Sequence, residues 1–261
     1  MEPPRRTELL ARLRAHVAGI EPGGAIPVTR PVISFGAAID AKLPWCGLPV
    51  GALHEVSGDG PDLEHAAAAA QLVAGALARL PGSVVWALDR HDLFAPGLAG
   101  VGLHPDRVIY AEAGRARAVL LVMEEALRQR GLAGVVGEID GRLALTASRR
   151  LQLAAEGSGV IGFVLRRSRR HDDPVLSEPS AAVTRWRVAA LPSGPSPHAP
   201  DLPGHGIQNL GRARWRLDLL RCRGGVPCSW VVEACDAQGR LGLAADLADR
   251  PAAASPRRAT G

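Results

Sequence analysis

The sequence predicts an α/β protein with a mostly parallel sheet covered by helices, preceded by an N-terminal helix and followed by a C-terminal β-hairpin. Two observations predict this class. Between residues 51 and 167, near-continuous apolar segments alternate with helical segments, as in parallel strands that are buried on both faces. After residue 180 the helical segments stop and strands follow one another.

The elements follow from hydrophobic periodicity and from glycine and proline boundaries. Strands are predicted at 51–58, 83–90, 107–113, 133–140 and 159–167, and helices at 64–80, 116–131 and 148–156. Three later strands are predicted at 184–191, 214–222 and 229–235. The last two are joined by RGGVP, which is typical of a hairpin.

Composition divides the chain into three parts. Residues 1–30 are predicted to form an N-terminal helix and a Pro/Gly-rich linker, and residues 31–240 form the core, with a Pro/Gly-rich loop at 192–206. Residues 241–261 are rich in alanine and proline without periodicity, so we expect a disordered tail.

The residue totals exclude several classes of protein. No apolar run approaches the ~20 residues that span a bilayer and no signal peptide opens the chain, so we expect a cytoplasmic protein without membrane contact. The four cysteines lack the C-x-x-C spacing of a zinc site. The net charge of +5 is compatible with contact with an acidic partner. Lys42 is the only lysine, so no later lysine can serve in chemistry.

The first strand-to-helix junction, HEVSGDGPDLEHAAAAA, lies where α/β proteins bind ligands. A phosphate-binding P-loop there would read G-x-x-x-x-G-K-[ST]. The corresponding residues form a degenerate loop: Gly58, Asp59, Gly60, Pro61, Asp62, Leu63, Glu64 and His65. Leu63 replaces the second glycine, Glu64 the lysine and His65 the hydroxyl residue.

Each replacement works against binding a triphosphate. Glu64 puts a negative charge where the phosphates need a positive one, and Pro61 lacks an N–H for the phosphate cradle. The alternative is an ordinary strand–turn–helix connection in which Asp62 caps the helix.

The segment VISFGAAIDAKLPWCGLPVGALHEVSG resembles the entry into the core of RecA-type recombinases, mainly through GLPVG at 47–51. More specifically, the chain is similar to the ImuA family, RecA-like accessory proteins of bacterial damage-inducible mutagenesis cassettes. The likeness covers about residues 30–240 and lies in LPWCGLPVGALHEVSG, VVGEIDGRLALTASRRLQLAAE, TRWRV, RWRLDLLRCRGG and SWVVEA. It implies a RecA-like core.

The resemblance also places former catalytic positions. His91 falls where recombinases have the glutamate that activates water, although a one-residue slip would nominate Asp92. Glu138 stands where a magnesium-associated aspartate would be, with a solvent-facing acid at the strand end as the alternative. We therefore expect no catalytic residue, no cofactor and no metal, and we disfavour a metal site built from His54, His65 and His91.

Candidate interaction residues lie in the second half of the chain. The resemblance places a DNA-contacting loop after the 159–167 strand, where four arginines are candidate DNA contacts: Arg166, Arg167, Arg169 and Arg170. The alternative is a solvated strand end. Trp186, Trp215 and Trp230 alternate with arginines in a pattern expected of an exposed partner surface, with packing under the hairpin as the alternative.

The resemblance implies a non-catalytic adaptor in SOS-linked DNA damage tolerance, meaning translesion synthesis and induced mutagenesis. Its implied partners are an ImuB-like subunit of the polymerase family, through it an error-prone DnaE-type polymerase, and also RecA. Two alternatives remain open. One is an atypical ATP-binding, recombinase-like ATPase, and the other is a damage-induced cell-division inhibitor.

Overall fold

The computed structural model describes residues 30–193 and 211–243. Their eleven strands are β1 (Val32–Ile33), β2 (Leu48–Pro49), β3 (Leu53–Gly58), β4 (Val84–Leu88), β5 (Val108–Glu112), β6 (Gly134–Asp140), β7 (Ile161–Arg167), β8 (Thr184–Leu191), β9 (Arg214–Cys222), β10 (Cys228–Glu233) and β11 (Gly242–Leu243). The α-helices are α1 (Ala37–Asp40), α2 (Asp62–Ala78), α3 (Ala95–Ala99), α4 (Ala116–Leu127) and α5 (Leu145–Ser158).

Nine of these strands form one sheet, in the order β5-β4-β6-β7-β3-β8-β9-β10-β11. The six strands from β5 to β8 in this order are parallel, and β9, β10 and β11 extend the sheet with antiparallel pairings. The predicted parallel sheet and C-terminal hairpin are therefore confirmed. β1 and β2 form a separate antiparallel ribbon that leads into β3.

Two hydrophobic clusters lie on opposite faces of the sheet, because successive residues of a strand point to opposite sides. On β6, Val136 belongs to the cluster under α2 and α3, whereas Val135 belongs to the cluster under α4 and α5. The second cluster includes Leu53, Met123 and Leu127. This double coverage explains why the parallel strands are apolar on both faces.

Two helices begin earlier than the periodicity predicts. α2 begins at Asp62 rather than 64 because Pro61, at its N-cap, supplies a proline-restricted φ and lacks the N–H that a helix start leaves unpaired. α5 begins at Leu145 rather than 148. Ser148 is not a cap, since its hydroxyl donates to the Leu145 carbonyl and accepts from the Ala181 amide.

The expectation of disorder is wrong for the first residues of the 241–261 segment. Leu243 pairs with Val232 and Gly242 with Glu233, so β11 covers part of the edge of β10. The predicted N-terminal helix falls within residues 1–29, which lie outside the described part. Most of the 192–206 loop and the tail after 243 also lie outside it. Within the described residues, no helix has the length and apolar character needed to cross a bilayer.

Candidate functional site

The degenerate loop connects β3 to α2 at the carboxyl edge of the parallel strands, as the sequence predicts. Its tight path depends on glycine at two positions. A Cβ on Gly58 would lie 2.8 Å from the Cβ of His65, and Gly60 has φ of +140° with the His65 ring beside it. The loop therefore folds back closely against the first turn of α2.

The backbone amides of this loop are largely used inside the protein. The Asp59 amide donates to the Val188 carbonyl at 3.0 Å, and the Asp62 amide donates to the Ser168 carbonyl at 2.8 Å. The amides of Glu64 and His65 both donate to the Pro61 carbonyl. Since Pro61 has no N–H, five of the seven positions from 59 to 65 have no amide left for a phosphate, whereas a P-loop aims its amides at the ligand.

The guanidinium of Arg167, at the end of β7, bridges three carboxylates beside the first turn of α2. Its Nε lies 2.8 Å from Asp62, and its two terminal nitrogens lie 2.6 Å from Asp92 and 2.5 Å from Glu138. Burial disfavours the charged guanidinium, but the hydrogen bond that it donates to Asp62 and the charges of the three carboxylates outweigh this effect. They raise the pKa of Arg167 above its ordinary value.

Asp62 does not cap α2, contrary to the alternative considered from the sequence. The N-cap residue is Pro61, whose side chain makes no capping hydrogen bond, and Asp62 is the first residue of the helix. Its carboxylate instead accepts from the Arg167 Nε and from the Ser168 amide at 3.0 Å. The side chain thus joins the start of α2 to the end of β7.

Glu138 is buried rather than solvated, so the alternative of a solvent-facing acid is wrong. One carboxylate oxygen accepts from the Trp86 indole N–H at 2.8 Å, and the other accepts from Arg167. Burial raises the pKa of Glu138, although Arg167 and Trp86 oppose this rise. Both oxygens are therefore already used within the protein, which disfavours Glu138 as a ligand of a magnesium ion.

Little space remains between the first turn of α2 and the ends of β6 and β7. The cavity there has about 10 Å³, which is close to the minimum for one water molecule. A cleft of about 240 Å³ borders the other side of the loop, but it is lined by three carboxylates, those of Asp59, Asp172 and Asp173, against one arginine, Arg187. Neither space suits a triphosphate, the first because of its size and the second because of its acidity.

His91 and Asp92 have different surroundings. Asp92 turns toward Arg167, whereas the His91 Nε2 lies 3.0 Å from the Glu112 carboxylate on the neighbouring strand. The structure therefore places Asp92, the residue nominated by the one-residue slip, at the site. His91 lies outside it.

The remaining loop side chains also have protein partners. The His65 Nδ1 accepts from the Ala190 amide at 3.2 Å, so this ring holds the loop against β8. Asp59 is paired with Arg216 and lies 3.1 Å from Arg187. Glu64 is more exposed, with His65 at 3.7 Å.

The three histidines considered as metal ligands have separate partners. His54 is fully buried, and its ring nitrogens contact Thr184 and the Pro49 carbonyl. His65 contacts Ala190 and His91 contacts Glu112. In the described part of the chain, no cluster of three or more histidine, cysteine or carboxylate side chains has metal-binding geometry.

The four candidate DNA-contacting arginines are divided into two pairs. Arg166 is buried beside Glu55 at 3.5 Å and donates to the Gly141 carbonyl, while Arg167 is engaged at the loop. Arg169 and Arg170 are exposed. Direct contact with a phosphate backbone is therefore open only to the second pair.

Two of the three tryptophans lie in the core, so the expectation of an exposed surface is wrong for them. Trp186 and Trp215 are 1% and 2% exposed, and both belong to the cluster under α2. Trp230 is partly buried, with its ring 6.1 Å from that of Trp186. Alternation with arginine reflects strand periodicity, which puts tryptophans on the covered face and arginines on the other.

Sequence reasoning missed an apolar cavity of about 440 Å³ beside the loop, which we call the α2–α3 groove. Its apolar lining includes Leu63, Ala67, Leu93, Phe94 and Leu98, and its charged lining consists of Asp62, Asp92 and Arg167. Leu63 and Phe94 are 97% and 72% exposed. The one sequence feature that pointed to this groove was Leu63, an apolar residue at a position that is glycine in the P-loop motif. Nothing in the sequence indicated that Trp86 would donate a hydrogen bond to Glu138, because a tryptophan is an ordinary residue in an apolar strand.

Two curated relatives are similar to the chain over most of its length. The chain is 43% identical over 237 residues to Protein ImuA of Caulobacter vibrioides strain NA1000 / CB15N, covering 86% of this chain and 93% of that protein. The same values hold for Protein ImuA of Caulobacter vibrioides strain ATCC 19089 / CIP 103742 / CB 15. No protein-family model matches the chain.

Among solved structures, the crystal structure of the RadB recombinase is similar, with a TM-score of 0.56 and 16% sequence identity. The match covers 82% of this chain and all of that one. At this identity the likeness concerns the fold alone, and it confirms the RecA-like core predicted from the sequence.

Proposed function

Because the chain belongs to the ImuA family, we propose that it is a non-catalytic accessory protein of DNA damage tolerance, acting in SOS-linked translesion synthesis and induced mutagenesis. It is an adaptor and not an enzyme, and it needs no cofactor. One observation carries the proposal: the guanidinium of Arg167 joins three carboxylates at the degenerate loop.

This arrangement supports a role without nucleotide because the site does not provide the groups that bind a triphosphate and its metal ion. The phosphates require free amides and a lysine, and the metal requires a hydroxyl and a free carboxylate. Most loop amides are already bonded within the protein, Glu64 replaces the lysine, and the carboxylate of Glu138 is engaged by Trp86 and Arg167. An ion-pair network internal to the chain replaces the ligand.

The adaptor works in the cytoplasm with an ImuB-like subunit of the polymerase family and, through it, an error-prone DnaE-type polymerase. It also contacts RecA. Light scattering with RecA filaments tests that last contact, and the absence of any association would remove RecA from the set of partners.

The test of the main proposal is equilibrium binding of a fluorescent ATP analogue in the presence of magnesium. We expect no saturable binding by the natural chain. We also expect none by the double variant Glu64→Lys, His65→Thr, because that variant restores the motif residues but leaves Arg167 and Asp62 in place. RecA serves as the positive control. Saturable micromolar binding by the natural chain would favour an ATP-binding, recombinase-like protein instead.

A further inference from the structure

We propose that the α2–α3 groove is the docking surface for a partner protein, and that the partner inserts an apolar side chain flanked by arginine or lysine. The proposal rests on the proposed function in one respect, since it takes the ImuB-like subunit as the first partner to test. It adds the place of contact and the chemistry of the partner segment.

The groove has an apolar lining that is exposed to solvent. Single exposed apolar residues are common on protein surfaces, but a contiguous set is typical of an interaction site. Here Leu63 and Phe94 are 97% and 72% exposed and line the same cavity, with Leu93 and Leu98 also lining it. An apolar side chain entering the groove would remove both exposed residues from water.

The charged groups that line the groove are Asp62, Asp92 and Arg167. Arg167 is shared further with Glu138, which is buried and lines the small cavity beside the groove. Glu64, next to Leu63 on α2, is 54% exposed. Among the groups that line the groove, Asp62 and Asp92 carry two negative charges against the one positive charge of Arg167, so the groove has a small excess of negative charge although the whole chain has a net charge of +5. A segment with arginine or lysine next to its apolar anchor would complement this local charge.

The same charge disfavours nucleic acid, because a phosphate backbone would meet exposed carboxylates. A protein segment satisfies both features, since an apolar anchor fits the cavity and a neighbouring cation reaches Asp92 or Glu64. Buried apolar anchors with charged flanks are typical of interfaces in which a few residues supply most of the binding energy.

The first experiment measures binding of the full-length chain to the purified ImuB-like subunit by isothermal titration calorimetry. Phe94→Asp and Leu63→Asp should each weaken binding about tenfold or more, because they put a charge into the apolar contact. The matched control is Leu121→Asp, on α4 across the sheet, where the leucine is 55% exposed but does not line this groove. All three residues are exposed, so far-ultraviolet circular dichroism should show unchanged folding.

Equal binding by the natural chain and both groove variants would overturn the proposal while leaving the proposed function intact. Failure of the natural chain to bind the ImuB-like subunit would contradict the proposed partner. A second measurement then tests binding at the groove without the ImuB-like subunit.

That measurement uses two short helical peptides with the same leucine and phenylalanine anchors, one flanked by arginines and the other by glutamates. Fluorescence anisotropy should detect binding of the arginine peptide only, and both Phe94→Asp and Glu64→Arg should weaken it about tenfold. Equal binding of the two peptides, or no binding of the arginine peptide, would overturn the proposal. Self-association of the chain that Phe94→Asp abolishes would assign the groove to a second copy and would also overturn it.

Discussion

At the residue scale, the site is organised by a single guanidinium. Arg167 ends β7, and its three carboxylate partners come from the start of α2, from the segment after β4, and from β6. Because Glu138 is nearly inaccessible, its charge is tolerated only with the partners that Arg167 and Trp86 provide. Arg167, which was a candidate DNA contact in the sequence, therefore forms ion pairs inside the folded chain.

Replacing Arg167 by alanine should lower the free energy of unfolding by about 2–3 kcal/mol, because three carboxylates would then lie together without a cation. Urea denaturation at neutral pH measures this change. The matched control is Arg169→Ala, two residues further on and exposed, which should change the stability by about 0.5 kcal/mol or less. Similar effects of the two substitutions would contradict the structural role of Arg167.

His54 should make the protein sensitive to acid. Burial lowers its pKa to about 4, although a hydrogen bond with the Pro49 carbonyl opposes this shift. The unfolded chain takes up a proton near pH 6.5, whereas the folded chain does so only near pH 4. Stability is thus lost as the pH falls from 6.5 to 4, by about 2–3 kcal/mol at pH 4.5.

The test of this pH dependence compares urea denaturation of the natural chain and of His54→Asn at pH 7.5 and pH 4.5. Asparagine does not titrate, so the difference in stability between the two proteins should shift by about 2–3 kcal/mol in favour of the variant at the lower pH. An unchanged difference between the two pH values would mean that His54 titrates normally in the folded chain.

At the scale of elements, helix α2 connects the site with the antiparallel end of the sheet. Its N-terminal turn holds the closed loop, and at Gly75 it meets the turn between β10 and β11. A Cβ on Gly75 would lie 2.6 Å from the Cys235 Sγ, and one on Gly239 would lie 2.1 Å from the Gly75 carbonyl oxygen. Glycine in the last turn of this helix thus permits a close approach of two backbones.

Substituting Gly75 by alanine should lower the free energy of unfolding by about 1–3 kcal/mol, because the added methyl group overpacks this contact. The control is Gly157→Ala in α5, where a Cβ would meet no atom within 4 Å. That change should raise stability by about 0.5–1 kcal/mol through helix propensity. Thermal and urea denaturation measure both changes, and a stabilising Gly75→Ala would show that the two backbones can separate without cost.

At the scale of the whole molecule, charge is distributed unevenly over the surface of residues 30–193 and 211–243. Many arginines are committed to ion pairs inside the fold, as Arg185 is with Glu55 and Arg187 with Asp218. The α2–α3 groove is acidic, whereas the exposed arginines Arg169 and Arg170 follow β7. A net charge of +5 therefore says little about where an acidic partner would bind.

If single-stranded DNA binds after β7, Arg169 and Arg170 should account for the contact and the buried Arg166 should not. The double variant Arg169→Ala, Arg170→Ala should reduce the slope of log affinity against log salt by about 1.4, since two phosphate contacts are lost. Fluorescence anisotropy over a salt series measures the slope. Arg149→Ala, on the exposed side of α5, is the control, and an equal reduction in that variant would contradict a specific contact.

The sequence by itself determined the fold class, the succession of the main strands along the chain and the loss of the phosphate-binding residues at the loop. These follow from local properties, namely apolar periodicity, the positions of glycine and proline, and the replacement of the motif lysine by Glu64. The first and last residues of β8 and β9 could also be predicted from the sequence, because strands with a regular alternation of residues have clear limits.

Only the tertiary structure decided which charged and aromatic groups meet. Arg167, Asp92 and Glu138 come from different elements and are brought together by the strand order, which periodicity does not encode. The burial of Trp186 depends on which face of β8 receives α2, and the exposure of Leu63 depends on how the loop closes. Contacts between residues distant in sequence arise when the sheet assembles, so the partners at the site could be read only from the folded chain.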